Sequence, residues 1–500
     1  MNALVELKSE LRAISDLNAA AMVLEWDQNT YMPPGGADAR GRQIALLSRL
    51  AHERRTTERM GELLSELSAV VDTETIDGAL VRKALRDYQR ATRVPAELME
   101  QISNHGSVLY AAWAEARKAN DFARVQPLLE KNLELSKRYA DHFEVDHPID
   151  AFVDEHDPGM NAADLKALFA SLRAELVPIV ETLLEQPKPD RSFLDADYPQ
   201  EKQLAFAAAV SEALGYDFDR GRQDLTHHPF MIRFSSGDVR ITTRVDPRDF
   251  TDCLFGTIHE TGHALYEQNI DRAFDGTPLG AGSSTGVHES QSRLWENLVG
   301  RSRPFWEHLY PKLQDIFPEP LAEVSLDDFH RAINAVDRGL VRVDSDEVTY
   351  NLHVMLRFDL ECAMLEGELA IADLPEAWNA RMEQDLGIRP PTDTLGCLQD
   401  VHWYCIPIGG AFQGYTLGNL MSAQFFQAAE QALPELDAQL ARGEVAPLRE
   451  WLTEQVYRHG ATYFPDELIQ RATGAPLSPE PFLTYLREKY GPLYGVDFGA

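Results

Sequence analysis

Two histidines and a glutamate near the middle of the chain have the spacing of a metal-binding helix. Residues 257–269, TIHETGHALYEQN, hold His259 and His263 four residues apart, with Glu260 directly after the first. Four residues turn an α-helix by about 400°, so both imidazoles point the same way, one turn apart. Two imidazoles so placed can bind one zinc ion, and Glu260, about 100° around the helix, can reach a water molecule there without being a ligand. The segment therefore predicts a metal site that hydrolyses a substrate.

A catalytic zinc site needs a third protein ligand and an open coordination position. The next predicted helix, TGVHESQSRLWENLVG, offers Glu289, which lies 26 residues after His263, and Glu296. The spacing of Glu289 suits a carboxylate on a following helix that completes a site of two histidines and one glutamate. Either carboxylate could face inward, and Glu289 could equally be a solvated acid near the positive end of its helix dipole. The residues alone leave this choice open.

The helix that must hold the two histidines has a predicted apolar face. Phe255, Ile258, Gly262, Leu265 and Tyr266 recur at helical spacing. Glycine inside a helix costs about 1 kcal/mol relative to alanine, so the glycine within the motif predicts close packing at that point. The alternative is a buried amphipathic helix whose histidines make ordinary hydrogen bonds.

Helical periodicity dominates the rest of the chain. Apolar residues recur every three or four positions in residues 39–70, 76–90, 95–118, 121–143, 161–186 and 198–214. Residues 230–245, FMIRFSSGDVRITTRV, alternate apolar and polar residues around a Ser-Ser-Gly-Asp turn instead, which predicts a β-hairpin. The hairpin ends just before the metal helix, where an exposed strand edge can pair with an extended peptide. We therefore expect one catalytic unit over residues 1–500, mainly helical over 1–190 and with the metal site in 191–500.

Composition limits the partners and the compartment. The 500 residues are 44% hydrophobic, and the net charge is 47 − 80 = −33. Such an acidic chain argues against nucleic acid and against anionic membranes as partners. The four cysteines contain no C-x-x-C pair and are expected to be reduced thiols. The N-terminus predicts a charged amphipathic helix without a signal-peptide core, and no stretch is apolar for 18 residues, so we expect a cytoplasmic protein.

Several separated motifs together resemble one family, the carboxypeptidase Taq family of zinc metallocarboxypeptidases. The similarity extends from LEWDQNTYMPPGG near the N-terminus to YTLGNLMSAQ near residue 420. Six motifs follow the family's order: HPF (228–230), DVRIT (238–242), HETGH (259–263), HESQSR (288–293), VRVDSDEVTY (341–350) and GCLQDVHW (396–403). The resemblance implies a mostly helical, two-lobed fold with a deep groove and a small hairpin beside the metal helix, similar to neurolysin and angiotensin-converting enzyme. It also implies Glu289 as the third ligand of one zinc ion per chain, which cobalt can replace.

The same resemblance implies an activity. Members remove single amino acids from the C-terminus of peptides. Their specificity is broad, cleavage is poor when the last residue is proline, and they form homodimers. The nearest alternative is an endo-acting zinc oligopeptidase of the same fold. A helical binding protein with an inert metal site is a further alternative, although such a protein would not need the base Glu260.

Recognition of a free C-terminus calls for a fixed positive group. A guanidinium is suited to it because its fork pairs with both carboxylate oxygens. By resemblance this group is Arg342, and Arg240 is the second candidate. Arg342 could instead form a salt bridge with a nearby acid such as Asp346, and Arg240 could be a solvated or ion-paired strand residue. The family's motifs imply three further substrate-binding residues: Asp238, His228 and Gln399.

The resemblance also implies catalytic residues besides the base Glu260. His402, in QDVHW, is similar to the family's active-site histidine, which can hydrogen-bond the substrate carbonyl or the oxyanion. Asp400, two residues earlier, could orient another group or cap a helix. Many members carry F-G-Y where this chain reads YCIPIGGAFQGYTLG, so a phenol donor to the oxyanion falls to Tyr415 or Tyr404. We prefer Tyr415 because the motif YTLGN anchors it.

Overall fold

The computed structural model describes residues 3–499, and most of them are helical. They divide into two compact units, each built from three chain segments. Unit 1 comprises the described residues up to Thr92, with Asp190–Ile333 and Phe425–Pro476; unit 2 comprises Arg93–Pro189, Asn334–Gln424 and the described residues from Leu477 onward. The mostly helical fold expected from the sequence is confirmed. The boundary expected between residues 190 and 191 lies one residue from a point where the chain passes between units.

Within the described residues, the α-helices are α1 (Ala3–Thr30), α2 (Ala37–Arg55), α3 (Glu58–Ser68), α4 (Ile76–Arg93), α5 (Ala96–Ala119), α6 (Gln126–Ala140), α7 (Asp150–His156), α8 (Ala162–Leu184), α9 (Gln200–Leu214), α10 (Phe250–Gln268), α11 (Thr285–Arg293), α12 (Arg303–Ile316), α13 (Pro318–Leu321), α14 (Leu326–Ile333), α15 (Tyr350–Glu366), α16 (Leu374–Leu386), α17 (Gln413–Ala432), α18 (Leu436–Ala441), α19 (Ala446–Gln455), α20 (Pro465–Thr473) and α21 (Glu480–Tyr494). The strands are β1 (Gln223–Leu225), β2 (Met231–Ser235) and β3 (Asp238–Thr243). Over residues 3–499, none of the helices combines the length and the apolar content needed to cross a bilayer.

The helices follow the predicted segments with small differences at their ends. The segment 39–70 is two helices, α2 and α3, because the hydroxyl of Thr57 accepts a hydrogen bond from the backbone N–H of Met60 and so starts a new helix. The segment 121–143 begins with a 3₁₀ turn before α6. The expected N-terminal helix is α1, although Met1 and Asn2 lie outside the described residues.

A three-stranded sheet in unit 1 contains the predicted hairpin. Strand β3 is central, with β2 antiparallel on one side and β1 parallel on the other. Met231 pairs with Ile241, and a bulge after Arg233 leads into the turn. The hairpin is thus confirmed. Strand β1 was not predicted, because three residues are too few to show an alternating pattern.

Helix α10 is the central helix of unit 1, where α9, α11 and β3 pack against it. Asp249 caps its first turn by accepting a hydrogen bond from the backbone N–H of Thr251. The five residues of the predicted apolar face are all buried. Glu260 and Glu267 are buried as well, so the helix is enclosed on nearly every side. Buried carboxylates need partners or a function, and these two lie beside the histidines.

Helix α15 has the corresponding place in unit 2, where α6, α8 and α16 pack against it. It buries His353, Arg357 and Glu361 among apolar side chains. Two 3₁₀ turns, Arg342–Asp344 and His402–Tyr404, carry the predicted substrate-binding residue Arg342 and the predicted catalytic residue His402.

Glycine 262 lets α10 approach α11 closely. A Cβ atom at this position would lie 2.6 Å from the carbonyl oxygen of Gln291 and 2.6 Å from Cα of Ser292. Both are backbone atoms, so neither can rotate away. We expect Gly262→Ala to destabilise the protein by about 1–3 kcal/mol, the usual cost of overpacking, despite the higher helix propensity of alanine. Chemical unfolding followed by circular dichroism would measure this change.

Gly256 is the matched control, because it lies in the same helix and a Cβ there would meet nothing within 4 Å. Gly256→Ala should stabilise the protein by about 0.5–1 kcal/mol. Equal effects of the two substitutions would contradict the close approach at Gly262.

Candidate active site

Three side chains of unit 1 converge as a potential metal site. One ligand atom from each of His259, His263 and Glu289 lies within 4.8 Å of the others, and no other group of three such side chains in residues 3–499 converges in this way. Oε2 of Glu289 is 3.9 Å from Nε2 of His259 and 3.6 Å from Nε2 of His263. Two imidazole nitrogens and one carboxylate oxygen are the donor set of many catalytic metal sites, and they leave a coordination position open.

Glu289 is presented to the histidines by its own helix. Ser284 caps α11 by accepting a hydrogen bond from the backbone N–H of Val287. Glu289 is buried, not solvated, and Arg293 donates a hydrogen bond of 2.7 Å from Nε to its Oε1. Because Arg293 occupies Oε1, the other oxygen is the one that faces the imidazoles.

The competing carboxylate, Glu296, contacts the opposite side of the first histidine. It lies in a π-helical segment, Leu294–Val299, that continues α11. Its Oε2 is 2.9 Å from Nδ1 of His259, and Arg293 and Arg301 lie 3.4 and 3.5 Å from its oxygens. Burial opposes ionisation, yet the hydrogen bond from His259 and the two arginines lower the pKa of Glu296 to about 2. Glu296 is therefore an ionised acceptor behind His259.

The second histidine has a different partner on its outer side. Nδ1 of His263 is 2.6 Å from Nδ1 of His288, and Nε2 of His288 is 3.0 Å from Oε1 of Glu267. With Nδ1 of both metal-site histidines engaged outward, Nε2 of each faces the centre of the cluster. This arrangement selects the nitrogen that can bind a metal ion.

Glu260 stands beside the three converging groups without a partner of its own. It is only 7% exposed, and within residues 3–499 no group donates a hydrogen bond to its carboxylate. Burial raises the pKa of Glu260 to about 7, although the neighbouring His259 acts in the opposite direction. A carboxylate held in this way can take up and release a proton near neutral pH.

In unit 2, Asp400 is the centre of a buried ionic cluster. Its Oδ1 accepts a hydrogen bond from Nη2 of Arg342 (2.9 Å), and its Oδ2 accepts from Nε of Arg342 (3.0 Å) and Nε of Arg357 (2.7 Å). Nδ1 of His402 lies 3.3 Å from Oδ1. Burial favours the neutral acid, but Arg357, His402 and Arg342 hold the pKa of Asp400 well below its usual range. Of the roles considered from the sequence, Asp400 thus orients other groups.

Arg342 lies against aromatic rings with part of its guanidinium engaged. Nη1 donates to the hydroxyl of Tyr350 at 2.7 Å, and the guanidinium carbon is 4.9 Å from the ring centre of Tyr415 and 5.6 Å from that of Phe412. The alternative partner, Asp346, instead accepts hydrogen bonds from backbone N–H groups just before α15. The salt bridge of Arg342 is therefore with a residue distant in sequence.

Gln399 uses its amide within the protein. Its Oε1 accepts hydrogen bonds from the backbone N–H of Arg342 (3.0 Å) and from Nη2 of Arg357 (2.9 Å). Its Nε2 donates to the carbonyl oxygens of Leu340 and Leu395. Gln399 thus holds the backbone at Arg342 in place.

The two candidate tyrosines differ in their surroundings. The ring centre of His402 lies 4.7 Å from Phe412 and 6.4 Å from Tyr415. Tyr404 is fully buried, and its hydroxyl donates to the carbonyl oxygen of Cys397 at 3.0 Å. This geometry favours Tyr415 as the phenol associated with His402.

The remaining predicted substrate-binding residues lie at the sheet of unit 1. Arg240, on β3, forms a two-pronged ion pair with Asp238, with distances of 2.8 and 2.7 Å. Its guanidinium carbon lies between the rings of Trp26 (4.3 Å) and Phe234 (4.9 Å). His228 is exposed just before β2. Arg240 thus has the structural ion pair that the sequence left as an alternative.

Sequence reasoning missed two groups that the geometry brings to these clusters. Arg357 completes the Asp400 cluster, and Glu267 ends the hydrogen-bond chain behind His263. The sequence held an indication of both, because each is a charged residue in a helix whose other residues are mostly buried. Charged side chains are almost never fully buried unless they are paired. The partners themselves were not detectable, because they come from distant parts of the chain.

Comparison with known proteins agrees with this geometry. The family model of the carboxypeptidase Taq (M32) metallopeptidases matches residues 6–490. The chain is 43% identical to thermostable carboxypeptidase 1 of Thermus thermophilus, over 98% of each chain, and 40% identical to carboxypeptidase 1 of Bacillus subtilis, over 97% of each.

A solved structure shows the same fold. The crystal structure of the M32 carboxypeptidase from Deinococcus radiodurans R1 matches with a TM-score of 0.97 and 52% identity, over 99% of this chain and 100% of that one. A match over nearly the whole length of both chains leaves no large segment outside the shared fold. The chain therefore belongs to the carboxypeptidase Taq (M32) family of metallopeptidases, and it is a hydrolase that acts on peptide bonds.

Proposed function

We propose that the protein is a zinc-dependent carboxypeptidase that releases single amino acids from the C-terminus of peptides. Its specificity is broad, with poor cleavage when the last residue is proline. We further propose that it acts in the cytoplasm as a homodimer, on peptides and not on nucleic acids or membranes. The names of the relatives, which are carboxypeptidases, support the direction of attack.

Zinc is proposed as the metal, one ion per chain, with cobalt able to replace it. The ligands are His259, His263 and Glu289. Imidazole nitrogens suit zinc and neighbouring transition metals better than magnesium or calcium, which prefer oxygen ligands alone. When bound, the metal supplies Lewis acidity that polarises a carbonyl group and acidifies water.

Glu260 is proposed as the general base and general acid. It accepts the proton of the attacking water and then gives a proton to the departing amine. A pKa near 7 supports both roles, since the same carboxylate must hold and release the proton at the working pH. His402 and Tyr415 are proposed to donate hydrogen bonds to the oxyanion that develops on the substrate.

The charge balance of the Asp400 cluster carries the proposal of an exopeptidase. Arg342 and Arg357 share the single carboxylate of Asp400, so the cluster has one surplus positive charge. Burial raises the pKa of Glu361 to about 8, so this neighbour does not cancel the surplus at neutral pH. A C-terminal carboxylate of a peptide would neutralise it.

Arg342 has the hydrogen-bonding capacity to bind that carboxylate. A guanidinium has five N–H groups. Three of them are used, two with Asp400 and one with Tyr350, which leaves two for a substrate. We propose that Arg342 binds the terminal carboxylate and so restricts hydrolysis to the last peptide bond, whereas Gln399 holds its backbone. Arg240, Asp238 and His228 are proposed to contact the substrate more peripherally.

A comparison of free and amidated peptides tests this proposal. The wild-type protein should strongly prefer a peptide with a free C-terminal carboxylate over the same peptide amidated at its C-terminus. In Arg342→Ala the ratio of the two kcat/KM values should fall by about 10- to 100-fold, because a charge-assisted pair contributes about 1.5–3 kcal/mol. Most of the fall should come from slower cleavage of the free acid. A ratio measured on one protein sample is unaffected by loss of folded enzyme.

Arg240→Ala is the matched control, since it removes a guanidinium that is also paired with one aspartate. A ratio that survives in Arg342→Ala and falls in Arg240→Ala would assign the carboxylate to strand β3. If neither substitution changes the ratio, neither Arg342 nor Arg240 anchors the substrate. Mass spectrometry of the products separates the remaining alternative, because internal fragments in place of single amino acids would indicate an endo-acting oligopeptidase.

A further inference from the structure

The outer nitrogens of the two metal-site histidines have chemically different partners. Nδ1 of His259 meets a carboxylate directly, that of Glu296, at 2.9 Å. Nδ1 of His263 meets another imidazole, that of His288, and only beyond it the carboxylate of Glu267. The proposed reaction assigns no task to His288 or Glu267, so their arrangement needs another explanation.

The proton positions along the hydrogen-bond chain from His263 through His288 to Glu267 follow from its donors and acceptors. A neutral imidazole carries one N–H, so if Nε2 of His263 is a ligand atom, its proton is on Nδ1. That N–H can donate to His288 only if Nδ1 of His288 is unprotonated, which leaves the proton of His288 on Nε2. The ionised carboxylate of Glu267 accepts that proton's hydrogen bond and cannot donate one. Glu267 therefore determines the tautomers of both imidazoles.

Glu267, at the outer end of this hydrogen-bond chain, is held firmly. Glu267 is buried, and its Oε1 also accepts a hydrogen bond from the backbone N–H of Gly282 at 2.9 Å. Its Oε2 lies 3.0 Å from Nε of Arg233 on strand β2, which in turn donates to Asp275 at 2.6 Å. These contacts hold the carboxylate of Glu267 in one position.

The ring of His288 has little space to turn. A Cβ atom on Gly282 would lie 2.6 Å from Cδ2 of His288, and the ring centre of Tyr266 is 5.3 Å from that of the imidazole. Rotation of the ring would bring carbon atoms to the positions of both hydrogen-bonding nitrogens. Packing and hydrogen bonding thus favour the same orientation.

We infer that His288 and Glu267 are positioning residues that fix the tautomer and the ring orientation of His263, and that they thereby set the affinity of the site for its metal ion. The inference rests on the proposed metal ligands. Removal of an outer partner of a metal-binding histidine typically lowers metal affinity by about 10- to 100-fold. His288 and Glu267 should therefore affect binding of the metal itself, before any substrate is present.

Zinc affinity of the full-length chain tests this inference. Metal-free protein is titrated with Zn²⁺ in competition with a chromophoric chelator, and thermal unfolding of the metal-free protein is recorded in parallel. His288→Phe keeps a ring but removes the acceptor, and we expect the Kd for zinc to rise about 10- to 100-fold. His288→Asn places a side-chain oxygen near the position of Nδ1, so it should recover much of the lost affinity. His308→Phe, on α12 outside the converging groups, is the control and should bind zinc like the wild type.

The possible results lead to different conclusions. Wild-type affinity in His288→Phe would overturn the inference. Equal weakening in His288→Phe and His288→Asn, together with a lower unfolding temperature of both metal-free proteins, would also overturn it, since packing would then be the cause. If the wild-type protein binds no zinc, the proposed function itself is overturned. This outcome is distinct from the others, because they concern differences between the variants and the wild type.

Discussion

Replacement of His259, His263 or Glu289 by alanine will remove the bound metal and the peptidase activity together. Three protein ligands are the usual set of a catalytic zinc site, so two remaining donors should not hold a stoichiometric ion through dialysis. The Lewis acid contributes several kcal/mol to the stabilisation of the transition state, which corresponds to a loss of activity of about 10³-fold or more. Metal content by elemental analysis and peptide hydrolysis on the same samples measure both effects.

Glu296→Ala provides the matched control for Glu289→Ala. Both carboxylates lie in the same continuous helical segment, yet only Glu289 faces the Nε2 atoms. We expect Glu296→Ala to keep a metal ion with weaker affinity, because it loses only the partner of the Nδ1 atom of His259. Stoichiometric metal in Glu289→Ala and none in Glu296→Ala would reverse this assignment.

Glu260→Gln should keep the metal and lose most of the turnover. Glutamine preserves the shape of the side chain, but it cannot accept the proton of the attacking water. Loss of a general base typically costs at least about 10²-fold in rate. Because Glu260 makes no hydrogen bond that holds the ligands, the metal content should stay near that of the wild type. The measurement is kcat on a free-acid peptide, with metal content determined on the same preparation.

An exposed glutamate is the appropriate control for this substitution. Glu307, on α12, pairs with Arg303 at the surface, and Glu307→Gln should leave kcat unchanged. If Glu260→Gln hydrolyses peptides at nearly the wild-type rate, Glu260 has no part in proton transfer. If it loses its metal as well, its role lies in the site's structure and not in the reaction.

Local spacing predicted the part of the site that lies within one helix. His259 and His263 share a face of α10 as four-residue spacing requires, and Gly262 marks the close approach to α11. The choice between Glu289 and Glu296 could not be made in this way. Seven residues make nearly two turns of an α-helix, so both carboxylates fall on the same side. The packing of the two helices decides which of them meets the Nε2 atoms.

Contacts between distant segments were beyond the reach of sequence patterns. Asp400 binds Arg342, 58 residues away, and Arg357, 43 residues away. The local sequence does not reveal such pairs, because each charged residue also has a possible ion-pair partner nearby. For Arg342 that nearby partner was Asp346. The hairpin was predictable because its alternation and its turn are adjacent in sequence, whereas β1, which pairs with β3, is only three residues long and too short to show a pattern.

The division of each unit among three chain segments bears on how the protein is made. All three proposed metal ligands lie in Asp190–Ile333, but unit 1 is complete only when Phe425–Pro476 has also been synthesised. The ribosome therefore synthesises the histidines well before the last segment of unit 1 is available. Chains usually fold domain by domain from the N-terminus, and contacts between distant segments slow that process. Neither unit can be expressed as one continuous fragment, so an active enzyme requires nearly the entire chain.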